Sequence, residues 1–182
     1  MLYDIILFLH IVGTVLIFAT FGISLSALLT MLACKNFSEV RRLSHLAVKA
    51  DGIFPIGTLL ILIPGLYMTF TQWGWSHAWI NLSLVLLIVL TVMGPIINLP
   101  RLKAIAYTAD HASAETSFVT MQQTIKNKVL WLSIVTMTMI TTAILYMMTI
   151  KPELLGSVVV TILAFIAGPV IGKFLSRKTE KA

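Results

Sequence analysis

Charge is what this sequence most lacks. Of its 182 residues only 13 are Lys or Arg and 7 are Asp or Glu, 11% in all, against about 25% in soluble domains. A chain this small, folded in water, has too much surface to cover with so few charges. A soluble globular domain, a disordered chain and a charged coiled coil are all excluded on that ground. Cysteine is nearly absent as well. Cys34 stands alone, so no intrachain disulfide can staple the fold. Its palmitoylation is chemically open, and a plain thiol is the simpler reading. The sequence contains no Walker loop, His-Glu-x-x-His, Gly-x-Ser-x-Gly or Cys-x-x-Cys, which removes the common hydrolase and zinc-enzyme readings.

What the sequence has is apolar length. Hydrophobic residues make up 58% of it, and the mean hydropathy is +0.97. A bilayer crossing needs about 20 mostly apolar residues. Five runs meet this requirement: Ile5 to about Ala33, Ile53 to Trp73, Trp79 to Leu99, Val129 to Ile150, and Leu155 to about Phe174. None alternates with period two, so helices rather than barrel strands are expected. The expected fold is all-α, a polytopic membrane bundle of five transmembrane helices. One domain over residues 1–182 is the economical division, with four spans in 1–150 and an extra C-terminal span and basic tail in 151–182.

The basic residues set an expected orientation. Lys35, Arg41, Arg42 and Lys49 lie in the first loop. Arg101, Lys103, Lys126 and Lys128 lie in the third, and Lys173, Arg177, Lys178 and Lys181 in the tail. Only Lys151 falls on the other face. The positive-inside rule then puts the N-terminus outside and the C-terminus in the cytoplasm. Trp73, Trp75 and Trp79 crowd the short second loop as an aromatic belt would. The net charge of +6 is therefore a topology signal beside lipid, and no nucleic acid partner is implied. Ser38 to Ala50 reads as a basic amphipathic helix. Asp51-Gly52 and Pro55 are expected to break or kink the chain before the second span. Asp110 or Ser113 is expected to cap a helix running continuously into the fourth.

Inside the spans almost nothing ionises. From Ile53 to Leu99 only His77 titrates near neutral pH, and it sits in the outer loop. His10 lies within the first span, and an intramembrane ionisable group is a functional candidate by default. Met68 and the pair Met147-Met148 fall at a similar depth. His and Met are haem axial ligands and soft copper ligands. The plainer reading of the same residues is methionine as gap-filler and His10 hydrogen-bonded to a neighbouring helix. Asp51 and Arg101, at matching depths on adjacent spans, are expected to pair. Ala164, Gly168 and Gly172 form a small-residue stripe that suits close helix packing, either within the chain or between copies.

Four elements then carry a resemblance: Leu9-His10-Ile11-Val12-Gly13; Ala50-Asp51-Gly52-Ile53-Phe54-Pro55; Gly65-Leu66 with Gly74-Trp75 and Trp79; and Pro95 through Leu99-Pro100-Arg101-Leu102. In this order they resemble a bacterial domain-of-unknown-function family of small predicted integral membrane proteins, over roughly Met1 to Ile150. That family is distantly similar to the copper-resistance D domain and to HemJ-type protoporphyrinogen oxidase. The resemblance implies haem b or copper bound through His10 in a redox role, with Met68, Met147 and His77 as further candidate ligands, in a bacterial plasma membrane. Only His10 matches those distant relatives residue by residue. The other function class is non-catalytic: an accessory subunit of a larger membrane complex, or a facilitator for an uncharged or lipid-like solute. The partners expected are membrane lipid and, through the fifth span, a second copy or a larger complex.

Overall fold

The computed structural model describes residues 1–112 and 118–180. Its helices run in the order α1 (Leu2–Ala33), α2 (Phe37–Met68), α3 (Ala78–Met93), α4 (Leu99–Asp110), α5 (Phe118–Ile125), α6 (Lys128–Ile150) and α7 (Leu154–Glu180). Two π-helical turns interrupt the series. Thr69–Trp73 prolongs α2, and Gly94–Asn98 joins α3 to α4. There is no strand among the described residues. Five helical stretches are long and apolar enough to cross a membrane: Leu2–Ala33, Phe37–Trp73, Ala78–Asp110, Phe118–Ile150 and Leu154–Ser176. The all-α, five-span fold expected from hydropathy is the fold observed.

Two local expectations are corrected. The chain does not break at Asp51-Gly52: α2 continues from the basic segment straight into the span, with Pro55 and Pro64 inside it. A proline removes one helical hydrogen bond. Here Ala47, Ala50, Phe54, Gly57 and Ile61 are buried along the same helix, and packing on both sides of Pro55 holds the helix together. The start of α2 is set by Asn36, whose side chain accepts from the Glu39 N–H at 2.9 Å. The second correction lies before α6. Asp110 ends α4 rather than opening a helix, and Ser113 lies outside the described residues. The segments α5 and α6 are separate, because Asn127 caps α6 by accepting from the Leu130 N–H at 3.1 Å.

Glycines decide which helices touch. A Cβ on Gly13 would lie 2.8 Å from Leu60 Cβ and 2.9 Å from the Gly57 oxygen. The α1 and α2 backbones therefore meet directly. On the far side of the bundle, α7 lies along α6. A Cβ on Gly168 would lie 2.6 Å from Thr136 Cα, and one on Gly172 would lie 3.0 Å from Leu132 Cα. The small-residue stripe of the fifth span is thus occupied within the chain by α6. It is not a free dimer face. The helix α6 also packs on α3 and α1, and its span is the most buried of the five.

The apolar interior forms two clusters. One holds Ile17, Phe21, Phe54, Leu90, Met137 and Met147. The other holds Ala27, Leu28, Met31, Ala47, Leu102 and Trp131. Cys34 belongs to the second. It is 6% exposed, and its thiol donates to the Thr30 carbonyl at 3.4 Å. Burial, and secondarily the nearby Glu39 carboxylate, push the thiol above its ordinary pKa, so thiolate is scarce at neutral pH. Iodoacetamide is expected to alkylate Cys34 at least about tenfold more slowly in the folded protein than after denaturation. Equal rates at pH 7 would show the thiol to be accessible.

Candidate functional site

His10 is built onto the α1–α2 interface by the residues that α2 leaves small or open. Its Nδ1 lies 2.9 Å from the Ile61 carbonyl oxygen. A carbonyl only accepts, so Nδ1 carries the proton and donates. The ring rests where Gly65 has no side chain: a Cβ there would lie 3.2 Å from the ring's Cε1 and 3.3 Å from Nδ1. Pro64, between these two residues, offers no N–H to the Leu60 carbonyl, which relaxes the helical ladder beside the histidine. His10 is half-buried. With Nδ1 protonated, Nε2 carries the ring's lone pair, and no partner for it is found among the described residues.

The other expected ligands are placed as follows. Met68 follows Ile61 and Gly65 by seven and three residues. This spacing puts it on the same face of α2, and it is buried. Met147 is fully buried in the apolar cluster that holds Trp79 and Ile80. His77 precedes α3, with its ring centroid 6.0 Å from Trp73 and 6.0 Å from Trp79. Its ring contacts are with these tryptophans and not with His10. Among the described residues no three His, Cys, Asp or Glu side chains gather as a metal cluster.

Asp51 and Arg101 are not brought into a pair. Arg101 turns back along its own helix and donates to the Ile97 carbonyl at 2.7 Å. The Ile97 carbonyl lies one turn back on the same face, within easy reach of the guanidinium. Asp51 is half-buried and forms no ion pair with any described residue. The ion pair that does link α2 to α4 lies further from the spans. Arg41 Nε meets Asp110 Oδ1 at 3.0 Å, and its Nη2 donates to the Ala109 and Asp110 carbonyls at 3.1 and 2.8 Å. His45 Nε2 sits 3.1 Å from both Asp110 oxygens. One guanidinium thus neutralises a carboxylate and caps the C-terminus of α4. Sequence reading placed Arg41, His45 and Asp110 on one face but had no signal to join them, since they are 65 to 69 residues apart.

At the opposite face Lys151, the one basic residue there, is held over the Trp73 ring at 4.1 Å from its centroid, with Trp79 at 5.9 Å. It ends α6 in the left-handed region, with φ 53°. A cation over tryptophan faces is attracted by the ring quadrupole. It ties the α6–α7 turn to the second loop.

A bundle of five apolar helices, its one intramembrane histidine seated on a glycine-lined helix pair, defines a multi-pass integral membrane protein in contact with lipid. The chain belongs to the DUF2269 family of predicted integral membrane proteins, whose model matches residues 4–152. The match takes in α1 to α6 and ends at the turn before α7, so α7 lies outside it. No curated protein and no solved structure matches the sequence.

Proposed function

We propose that the protein is a membrane-embedded binding component whose chemistry centres on His10, with Nε2 as the ligating atom for haem b or a copper ion. The observation that carries this reading is the hydrogen bond from Nδ1 to Ile61. A ligating histidine nearly always donates its other ring N–H to a carbonyl or carboxylate, which fixes the tautomer and aims the lone pair. An imidazole lone pair left without a donor in an apolar medium is costly, and a Lewis acid would satisfy it. His10 supplies one nitrogen. Met68, on the same face of α2, is the residue we assign as a second, softer donor, and Met147 a third. A bound haem or copper supplies one-electron redox chemistry. The chain's own part is to orient the imidazole and keep water from most of its surroundings.

A second reading is favoured by the seating of the ring itself. The bond to Ile61 and the packing against Gly65 make His10 a complete tether between two helices. In that case the chain is an accessory subunit, or a facilitator for an uncharged or lipid-like solute. The absorption spectrum of the purified protein separates the two. The first reading expects a Soret band, or stoichiometric copper, that is lost in His10→Ala and weakened in Met68→Leu. Wild-type protein that stays colourless after haem addition and retains no copper leaves only the tether.

We also propose that the tryptophan face is outside and the basic face cytoplasmic, in a bacterial plasma membrane. The support is the twelve-to-one division of basic residues between the two faces. Cysteines introduced as His77→Cys and His111→Cys, against the buried Cys34 as background, are expected to react with an impermeant maleimide from outside and from the cytoplasm respectively. The reverse pattern would invert the topology.

A further inference from the structure

The boundary between the two apolar clusters is itself informative. On α1 it falls between Phe21 and Ala27, on α2 between Ala47 and Phe54, on α3–α4 between Leu90 and Leu102, and on α6 between Ile134 and Met137. Polar side chains as well as apolar ones lie near this level. Phe21 packs on Phe54 with the rings tilted and their centroids 5.6 Å apart. A Cβ on Gly94 would lie 3.7 Å from both Phe54 Cδ1 and Met137 Cε. These contacts bring four helices to one layer. One turn toward the basic face lie Ser24, three residues after Phe21, and Asn98, four after Gly94. On α2 the same level falls at Ala50–Asp51, between the Phe54–Gly94 contact and the Arg41–Asp110 ion pair. On α6 it falls at Ser133, whose hydroxyl lies 3.8 Å from Met137 Sδ.

The polar atoms of this layer are under-satisfied. Asn98 is 1% exposed, and its amide nitrogen has only the weak thioether of Met137 as acceptor, at 3.1 Å. Its Oδ1 has no partner, and neither has the hydroxyl of Ser24, which is 3% exposed. These are two of the three buried side-chain polar atoms without a hydrogen bond among the described residues; the third is Ser83 Oγ. Exchanging the two ends of the Asn98 amide would change which atom is orphaned and not the shortfall. The π turn Gly94–Asn98 delivers the amide to this position. Such bulges often mark functional sites in helices. Asp51, half-buried at the same level and without an ion pair, stands where α2 passes from the basic segment into the span.

We infer that this layer is a buried hydration site, in which ordered water is held by Ser24 Oγ, Asn98 Oδ1 and the Asp51 carboxyl between the two dry clusters. Buried water is stable where two to four polar groups converge on it. Here three come from three different helices, and each lacks a protein partner. Water at this level gives Asn98 and Ser24 the hydrogen bonds that the protein does not, and Asp51 connects it to the basic face.

Radiolytic footprinting of the full chain in detergent or nanodiscs tests this, because hydroxyl radicals formed from bound water oxidise the side chains beside it. Met137 touches the layer and is 1% exposed, whereas Met31 and Met121 are equally buried in the dry cluster. Met137 is expected to be oxidised at least about fivefold faster than either. Asn98→Leu is expected to bring Met137 down to their rate. Equal rates for all three methionines in the wild-type protein would overturn the site, whether or not the variant folds.

Discussion

Gly168→Leu is expected to separate α7 from α6 and to be among the most destabilising single changes in the chain. The first carbon of the new side chain would lie 2.6 Å from Thr136 Cα and 2.8 Å from Thr136 Oγ1. Neither neighbour is the far end of a flexible side chain, so the helices themselves must move apart. Overpacking of this kind costs about 1–3 kcal/mol and occasionally more. Gly13→Leu places the same demand on α1 and α2, and it should also pull His10 from the Ile61 carbonyl. Gly22→Leu is the control, because a Cβ at Gly22 meets nothing within 4 Å. Thermal unfolding in detergent micelles should show a large loss for Gly168→Leu and Gly13→Leu and almost none for Gly22→Leu. If Gly168→Leu melts like the wild type, α7 is not held where the structure places it.

Trp131→Ala should be comparably severe for a different reason. Trp131 is fully buried at the start of α6, within the cluster that includes Leu102, Ile105 and Met121. Its Nε1 donates to the Ile125 carbonyl at 3.1 Å and so holds the end of α5 against α6. Truncating a buried tryptophan costs about 3–5 kcal/mol, through lost transfer energy and the cavity left behind. Trp131→Phe keeps most of the packing but orphans the Ile125 oxygen, at about 1–3 kcal/mol. Chemical unfolding should therefore rank wild type above Trp131→Phe and Trp131→Phe above Trp131→Ala. A phenylalanine variant as stable as the wild type would mean that the indole hydrogen bond contributes nothing.

The two sites of close approach differ in how far they could be read from sequence. The stripe Ala164, Gly168 and Gly172 has a regular spacing, and regular spacing on an apolar helix announces a packing face. Which helix it meets is a long-range fact. Gly13 and Gly57 show no such repeat, yet together they bring α1 and α2 into backbone contact. His10 was legible as the intramembrane ionisable residue, and its inward bond to a backbone carbonyl is what a histidine in an apolar medium requires. Gly65 as the seat for its ring was not legible, because nothing in a single glycine says which side chain will fill the space it leaves.

The expected Asp51–Arg101 pair shows where depth alone misleads. Both residues fall at the same level, but the Ile97 carbonyl lies one turn back on Arg101's own helix, and the guanidinium turns to it. Local satisfaction was available without any cost of approach. Asp110 had no such local donor, and Arg41 and His45 reach it from α2. Of the break or kink expected at Asp51-Gly52 and Pro55, the break does not occur, for a related reason. Turn and breaker residues express backbone preferences of a kilocalorie or a few, and burial of a continuous face of α2 outweighs them.

Composition and hydropathy by themselves determined that this is a membrane protein, that it is helical, and that five segments are long enough to cross. Each of these follows from how much apolar surface a stretch of chain carries, and that is a sum over residues needing no partner. The tertiary structure alone decided that α7 packs on α6, that Arg41 caps α4, that Lys151 sits over Trp73, and that Ser24 Oγ and Asn98 Oδ1 are buried without a protein partner. Those outcomes depend on which atoms meet across helices dozens of residues apart. Such meetings are set by close packing and by the demand that every buried polar group find a partner, neither of which is a property of one residue or one segment.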